Sequence, residues 1–109
     1  MEGLPDVMRA TLVAWAQRER IVRRAYVFGS RAKGTATPTS DLDLALILDE
    51  PHGNALSELI VRRSSWKTEL TRALGVPVKD IHLADDPEDI AYRAVREHGV
   101  LVYERAGAQ

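Results

Sequence analysis

From Asp41 to Leu48 the chain places a leucine at every second position, Leu42, Leu44, Leu46 and Leu48, with Asp41, Asp43, Ala45 and Ile47 between them. Side chains along a strand alternate between its two faces, so this run predicts a β-strand with one wholly apolar face and both carboxylates on the other. The 109 residues predict one compact domain, spanning residues 1–109, with that strand near its core.

Helical and extended periods alternate around it. Pro5 to Arg20 predicts a first helix, with Met8, Leu12, Trp15 and Ala16 on one face. Ala25 to Phe28 is a short β-prone run stopped by Gly29-Ser30, after which Arg31-Ala32-Lys33 predicts a helical turn capped by Ser30. Gly34 to Ser40 reads as a loop, and Pro51 to Asn54 as a break. Leu56 to Leu74 predicts a long helix closed by Gly75, and Val76 to Leu83 a third strand whose Pro77 suits an edge or a strand start. Alternation puts Val78, Asp80 and His82 on one face of it. Asp86-Pro87-Glu88-Asp89 predicts a helix start with Asp86 as cap, and the helix runs to His98 before Gly99 and a last strand, Val100 to Tyr103. The order α-β-α-β-α-β-α-β, without internal repeats, describes an α/β or α+β domain.

Composition narrows the chemistry. Zero cysteines exclude a disulfide scaffold, a thiol nucleophile and thiolate metal sites. Lys and Arg number 15 against 16 Asp and Glu, a net charge of -1 that gives no overall reason to expect nucleic acid or an anionic membrane as partner. Arg18, Arg20, Arg23, Arg24, Arg31 and Lys33 nevertheless crowd one stretch against the single acid Glu19. Arg18, Arg20, Arg23 and Arg24 read as solvated residues complementing a helix end, whereas Arg31 and Lys33 fall in a loop with other possibilities. No apolar run approaches a membrane span, and the stretch after Met1 carries Glu2, Asp6 and Arg9 in place of a signal-peptide core, so the expected location is the cytoplasm.

The chemistry-bearing pattern is Gly29-Ser30, ten residues, then Asp41-Leu42-Asp43. Two acids one residue apart on a strand share a side, with Cα atoms about 6.6 Å apart, and can reach shared cations. Crowded carboxylates repel, so a site that keeps them ionised suits a divalent ion, and an all-oxygen donor set suits magnesium or manganese better than zinc. Gly29 and Ser30 stand where a strand gives way to a helical turn, a place where backbone N–H groups favour phosphate. The Gly29 to Gly34 spacing imitates a P-loop, but Thr35-Ala36 follows where Lys and Ser or Thr belong, which rules that motif out. Alone, an acidic pair at a strand end is usually solvated surface, and a serine after glycine is usually a cap. It is the ordered combination that points to a site.

At these residues the chain resembles the polymerase beta-like nucleotidyltransferases, and among them the small minimal nucleotidyltransferases. The stretch Val27 to Gly34 and the stretch Ser40 to Leu44 are similar to that family's motif, Val78-Lys79-Asp80-Ile81 is similar to its third-carboxylate strand, and Val95 to Glu104 to its closing helix, glycine and strand. The resemblance implies a small mixed sheet of about four strands flanked by helices. It implies transfer of a nucleoside monophosphate, AMP from ATP, to a hydroxyl, with two magnesium ions (or manganese) held by Asp41, Asp43 and Asp80. Asp80 would also accept the proton, Gly29 and Ser30 would bind phosphates, and Arg31 or Lys33 would screen the leaving pyrophosphate. The small members pair as antitoxins with helical HEPN-domain ribonuclease toxins, and active ones adenylylate the toxin on tyrosine, so such a toxin is the expected partner and acceptor. Two alternatives remain at this stage: a nonenzymatic module that masks its partner, and a small-molecule transferase of the antibiotic-modifying kind, whose members carry an added helical domain. His52, His82 and His98 lack metal-ligand spacing and read as loop, strand and helix end, although His82 shares the face of Asp80. Trp15, Trp66 and Tyr92 read as packing residues, and Tyr26 and Phe28 as structural.

Overall fold

The computed structural model describes residues 3–50 and 54–106. Its elements follow the expected order: α1 (Asp6–Arg18), β1 (Val22–Phe28), α2 (Ser30–Lys33), β2 (Leu42–Leu48), α3 (Ala55–Leu74), β3 (Val78–Leu83), α4 (Ile90–His98) and β4 (Val100–Glu104). The strands form one mixed sheet in the order β3-β2-β1-β4, in which β1 is antiparallel to both β2 and β4 and β2 is parallel to β3.

The leucine face of β2 is buried as its alternation requires. Leu42, Leu44 and Leu46 are fully covered and join Val22, Ala25, Val27, Ile81 and Leu83 in a core closed by α1 and α3. Trp15 of α1 and Trp66 of α3 meet edge to face there, with ring centroids 5.3 Å apart, the packing role the sequence suggests. The other face of the sheet carries Phe28 and Ala45, with Tyr26 and Ile47 beside them, and α4 covers these with Ala91, Ala94 and Val95. Asp43 of β2 and Asp80 of β3, at the end of that face, are therefore left beside a single helix. Among the described residues no helix is long and apolar enough to cross a membrane.

Several boundaries differ from expectation, each for a tertiary reason. α1 stops at Arg18, two residues early, because Glu19 turns the chain by accepting from the Val22 N–H (2.9 Å) and strand pairing begins at Val22. β1 thus starts three residues early and contains Arg23 and Arg24, which do not flank a helix. Arg24 instead pairs with Glu104 of β4 (2.7 Å), and Arg23 lies 3.5 Å from Asp49. Arg18 reaches Glu69 of α3 (2.9 Å), so much of the arginine-rich stretch is matched within the fold. The start of α4 moves from Asp86 to Asp89, whose carboxylate accepts from the Ala91 N–H (2.9 Å), the Leu83 N–H (3.0 Å) and His82 Nδ1 (2.9 Å). Asp86 serves only a local turn, accepting from the Glu88 N–H. α3 is capped by Asn54, which accepts from the Ser57 N–H (2.8 Å), and ends at Gly75 in the left-handed region. Pro51, His52 and Gly53, read as a break, lie outside the described residues.

The end of β2 is tied across β1 by Arg105, which donates to both oxygens of Asp49 (2.7 and 3.2 Å). The hydrogen bond from Arg105 holds the Asp49 carboxyl below its ordinary range, with partial burial opposing and the charges of Arg105 and Arg23 adding to the effect. A carboxyl depressed in the folded state adds stability above its unfolded pKa and loses it as pH falls through the folded value. Asp49→Asn is therefore expected to melt slightly below the wild type at neutral pH, with the two melting curves converging under strongly acidic conditions. A gap independent of pH would contradict this, and the effect is small because the pair is partly in water.

Candidate active site

Asp43 is the second residue of β2, and its register fixes its neighbours. It stands opposite Phe28 of β1 on one side and Asp80 of β3 on the other. Asp80 reaches that place through a β-bulge. Leu42 pairs with Val78 and Asp43 with Asp80, so Lys79 is an extra residue on β3. The bulge changes the parity of the strand: Val78 joins the core while Asp80 and His82 face α4. Val78 therefore leaves the face that simple alternation assigned to it.

Gly29 follows β1 with φ 74° and ψ -153°, a conformation essentially restricted to glycine. It also lies under Asp43, since a Cβ built at Gly29 would overlap Asp43 Oδ2. Gly29, and not Ser30, is the residue that precedes α2, and Ser30 is the first residue of that turn. Phe28, Gly29, Lys33, Asp43, Lys79, Asp80, His82, Ile90, Ala94 and His98 line a cleft of about 460 Å³ between the sheet and α4. A hollow of about 540 Å³ along α3 is larger, but its one carboxylate, Glu69, is already bonded to Arg18.

Of the residues singled out from sequence, the cleft gathers Gly29, Lys33, Asp43 and Asp80. Ser30 and Asp41 do not line it. Asp41 is exposed and sits just before β2, although its charge is felt at Asp43. Arg31 is turned away altogether. Its side chain is buried and bonded to backbone carbonyls of Gly3, Pro38 and Ser40, so it is not placed to screen a ligand in the cleft.

The electrostatics differ between the two central acids. Burial pushes the Asp43 carboxyl up. Lys79 and His82 oppose this, the charge of Asp41 adds to it, and His98 opposes it again. Among the described residues none donates a hydrogen bond to that half-buried carboxylate, which stands over Gly29. Asp80 is better satisfied: its Oδ1 accepts from the Ile81 N–H (2.8 Å) and lies 3.8 Å from Arg63 Nε, and its Oδ2 lies 3.9 Å from His82 Nε2. Asp89 holds the other nitrogen of His82, and Phe28 meets the ring edge to face at 5.6 Å.

Sequence reading missed His98. Its Nε2 accepts from the Gly29 N–H at 2.9 Å, so a helix-end residue closes over an amide expected to face phosphate. The signal was available, because His98 falls on the helical face of Ala91, Ala94 and Val95 that packs on the sheet. Lys79, the bulge residue, also lines the cleft and gave no sequence signal of its own.

The donor set consists of carboxylate oxygens and suits a hard divalent cation. Among the described residues no three His, Cys, Asp or Glu side chains form a ready metal cage. Magnesium characteristically takes one or two carboxylates together with substrate phosphates, which is what a desolvated Asp43 beside Asp80 offers.

The mixed sheet thus sets two acids beside a glycine turn, with a helix across the cleft. Residues 11–107 match the family model described as polymerase beta, nucleotidyltransferase, and the chain belongs to that family. The family generally uses divalent metal ions. No curated protein matches the chain significantly. Among solved structures it is similar to one described as a toxin-antitoxin with AMP-PNP, at 21% identity and a TM-score of 0.67, over 90% of this chain and 74% of that one. At that identity the likeness is one of fold.

Proposed function

We propose that the protein is a magnesium-dependent nucleotidyltransferase that moves AMP from ATP to a hydroxyl of a partner protein, and that it acts as an antitoxin on a helical HEPN-domain toxin. The observation that carries this reading is the register of Asp43 against Asp80, directly over the Gly29 turn and within one cleft. Membership of the nucleotidyltransferase family supports the reaction class. The fold shared with a protein described as a toxin-antitoxin with AMP-PNP supports the nucleotide and the kind of partner.

In this mechanism Asp43 and Asp80, which line the cleft, together with Asp41, which stands just before β2, would hold the divalent ions. Bound there, such ions would neutralise triphosphate charge and make the acceptor hydroxyl more acidic. Gly29 and Ser30 present backbone N–H groups to the terminal phosphates, with phosphate replacing His98 as the acceptor at the Gly29 amide. The acceptor oxygen attacks the α-phosphorus, and its proton passes to Asp80. The new oxygen–phosphorus bond forms as the bond to the β-phosphate bridging oxygen breaks, and pyrophosphate leaves beside Lys33. Manganese fits the same oxygen donors.

Co-expression with the neighbouring reading frame, followed by intact-mass measurement, tests the proposal. The expected result is a complex in which the partner gains one adenylyl group on a tyrosine, only with ATP and magnesium. The absence of both a complex and a mass gain would overturn it. If a variant with Asp41, Asp43 and Asp80 all changed to Asn neutralised the toxin as well as the wild type, masking without chemistry would replace transfer.

A further inference from the structure

We propose that Arg31 is a positioning residue: its buried guanidinium grips the carbonyls of Gly3, Pro38 and Ser40 and thereby fixes where Asp41 stands relative to Asp43. The inference rests on the reading above that these two acids share divalent cations.

Arg31 is 3% exposed and is the one buried charged residue among those described. Its partners are all uncharged. Nε and Nη2 donate to the Ser40 carbonyl (3.1 and 2.7 Å), Nη2 to Pro38 (3.1 Å), and Nη1 to Gly3 (2.8 Å), with Met8 Sδ at 4.0 Å from Nη1. All five N–H groups of the fork are thereby directed at acceptors. Burying a guanidinium without a carboxylate is costly, and filling the same volume with Met or Leu would avoid that cost. What an apolar side chain cannot do is hold three carbonyls from two separate segments at fixed angles.

The segment it holds has little else to hold it. Residues 34–40 are exposed or half-exposed, and their remaining bonds are local, such as the Thr37 N–H to Ser40 Oγ (2.8 Å). Asp41 follows immediately, framed by the Ser40 carbonyl on Arg31 and by the Leu42 N–H on the Pro77 carbonyl (2.9 Å). Asp41 and Asp43 repel one another, so a free loop would relax by swinging Asp41 away. Anchoring the residue before it opposes that movement. Gly3 is seated for the same purpose: a Cβ there would overlap the Arg31 carbonyl oxygen, so only glycine lets this segment approach closely enough to accept from Nη1.

Arg31→Lys keeps the charge but offers one point in place of a fork. Two measurements on the full chain test the role: binding of Mn2+ alone, followed by its paramagnetic relaxation of water, and amide hydrogen exchange at Thr39, Ser40, Asp41 and Leu42. The expected result is a folded variant with Mn2+ affinity weakened about tenfold and faster exchange confined to those amides. Arg31→Ala would then regain Mn2+ affinity on addition of millimolar guanidinium. A role limited to stability would lower the melting temperature while leaving Mn2+ affinity and local exchange unchanged, and that outcome overturns the inference. Should the wild type itself bind no Mn2+, the reading of the acids as a metal site falls, and the exchange data still decide whether Arg31 fixes the segment.

Discussion

Asp43→Asn is expected to melt higher than the wild type and to transfer nothing. Burial raises this carboxyl in the folded protein, and among the described residues no hydrogen-bond donor offsets the lost hydration. A carboxyl raised by folding favours the native state below its unfolded pKa and loses that contribution as pH rises through the folded value. At neutral pH the ionised side chain therefore weakens the fold relative to a neutral side chain of the same shape. The variant should melt slightly above the wild type at pH 7, the gain being small because the side chain is partly in water, and the gap should close under acid. Its transfer rate should fall about a thousandfold or more, since the amide loses the charge that holds cations. Magnesium with ATP should stabilise the wild type and leave the variant unmoved. A variant that melts lower, or one that keeps full activity, would remove Asp43 from the centre of the site. Stability given up for a desolvated charge is the pattern expected where a residue is kept for its chemistry.

Gly29→Ala should be damaging for two separable reasons. Its backbone lies at φ 74°, ψ -153°, where a side chain costs on the order of 1–3 kcal/mol. The added methyl group would also overlap Asp43 Oδ2 and displace that carboxylate from its place beside Asp80. Urea unfolding of Gly29→Ala, Asp43→Ala and the double variant separates them. The overlap is relieved when Asp43 is shortened and shows up as coupling of about 1 kcal/mol or more, whereas backbone strain persists. Strict additivity would mean that Gly29 is required for its conformation alone. Transfer by Gly29→Ala should fall at least a hundredfold, because the acid it displaces is the one set in register with Asp80.

The strand Leu42 to Leu48 was legible because one rule, alternation, decides both its state and its buried face. The placement of Asp43 and Gly29 in one cleft followed from the same rule and from the turn between β1 and α2. Asp80 reached the cleft by a route that sequence could not show. An extra residue at Lys79 shifts the register, and a bulge depends on how the neighbouring strand pairs. Arg31 misled for a related reason: an arginine in a glycine-rich turn looks available to phosphate until the partners of its guanidinium, up to 28 residues distant, are known. The choice of Asp89 over Asp86 as helix cap was likewise made by His82 and Leu83 on another element. Local chemistry defined which side chains could act. Distant backbone defined which of them line the cleft.

The bond from Gly29 to His98 and the pairing of β1 with β4 join parts of the chain about 70 to 80 residues apart. Closing so long a loop costs entropy before its contacts form, so these are slow events in folding, whereas β1 and β2 can meet early across a short connection. Asp43 and its glycine seat are therefore expected to assemble before the wall that closes over them, which would leave a nascent chain still lacking α4 and β4 with an open, uncapped cleft.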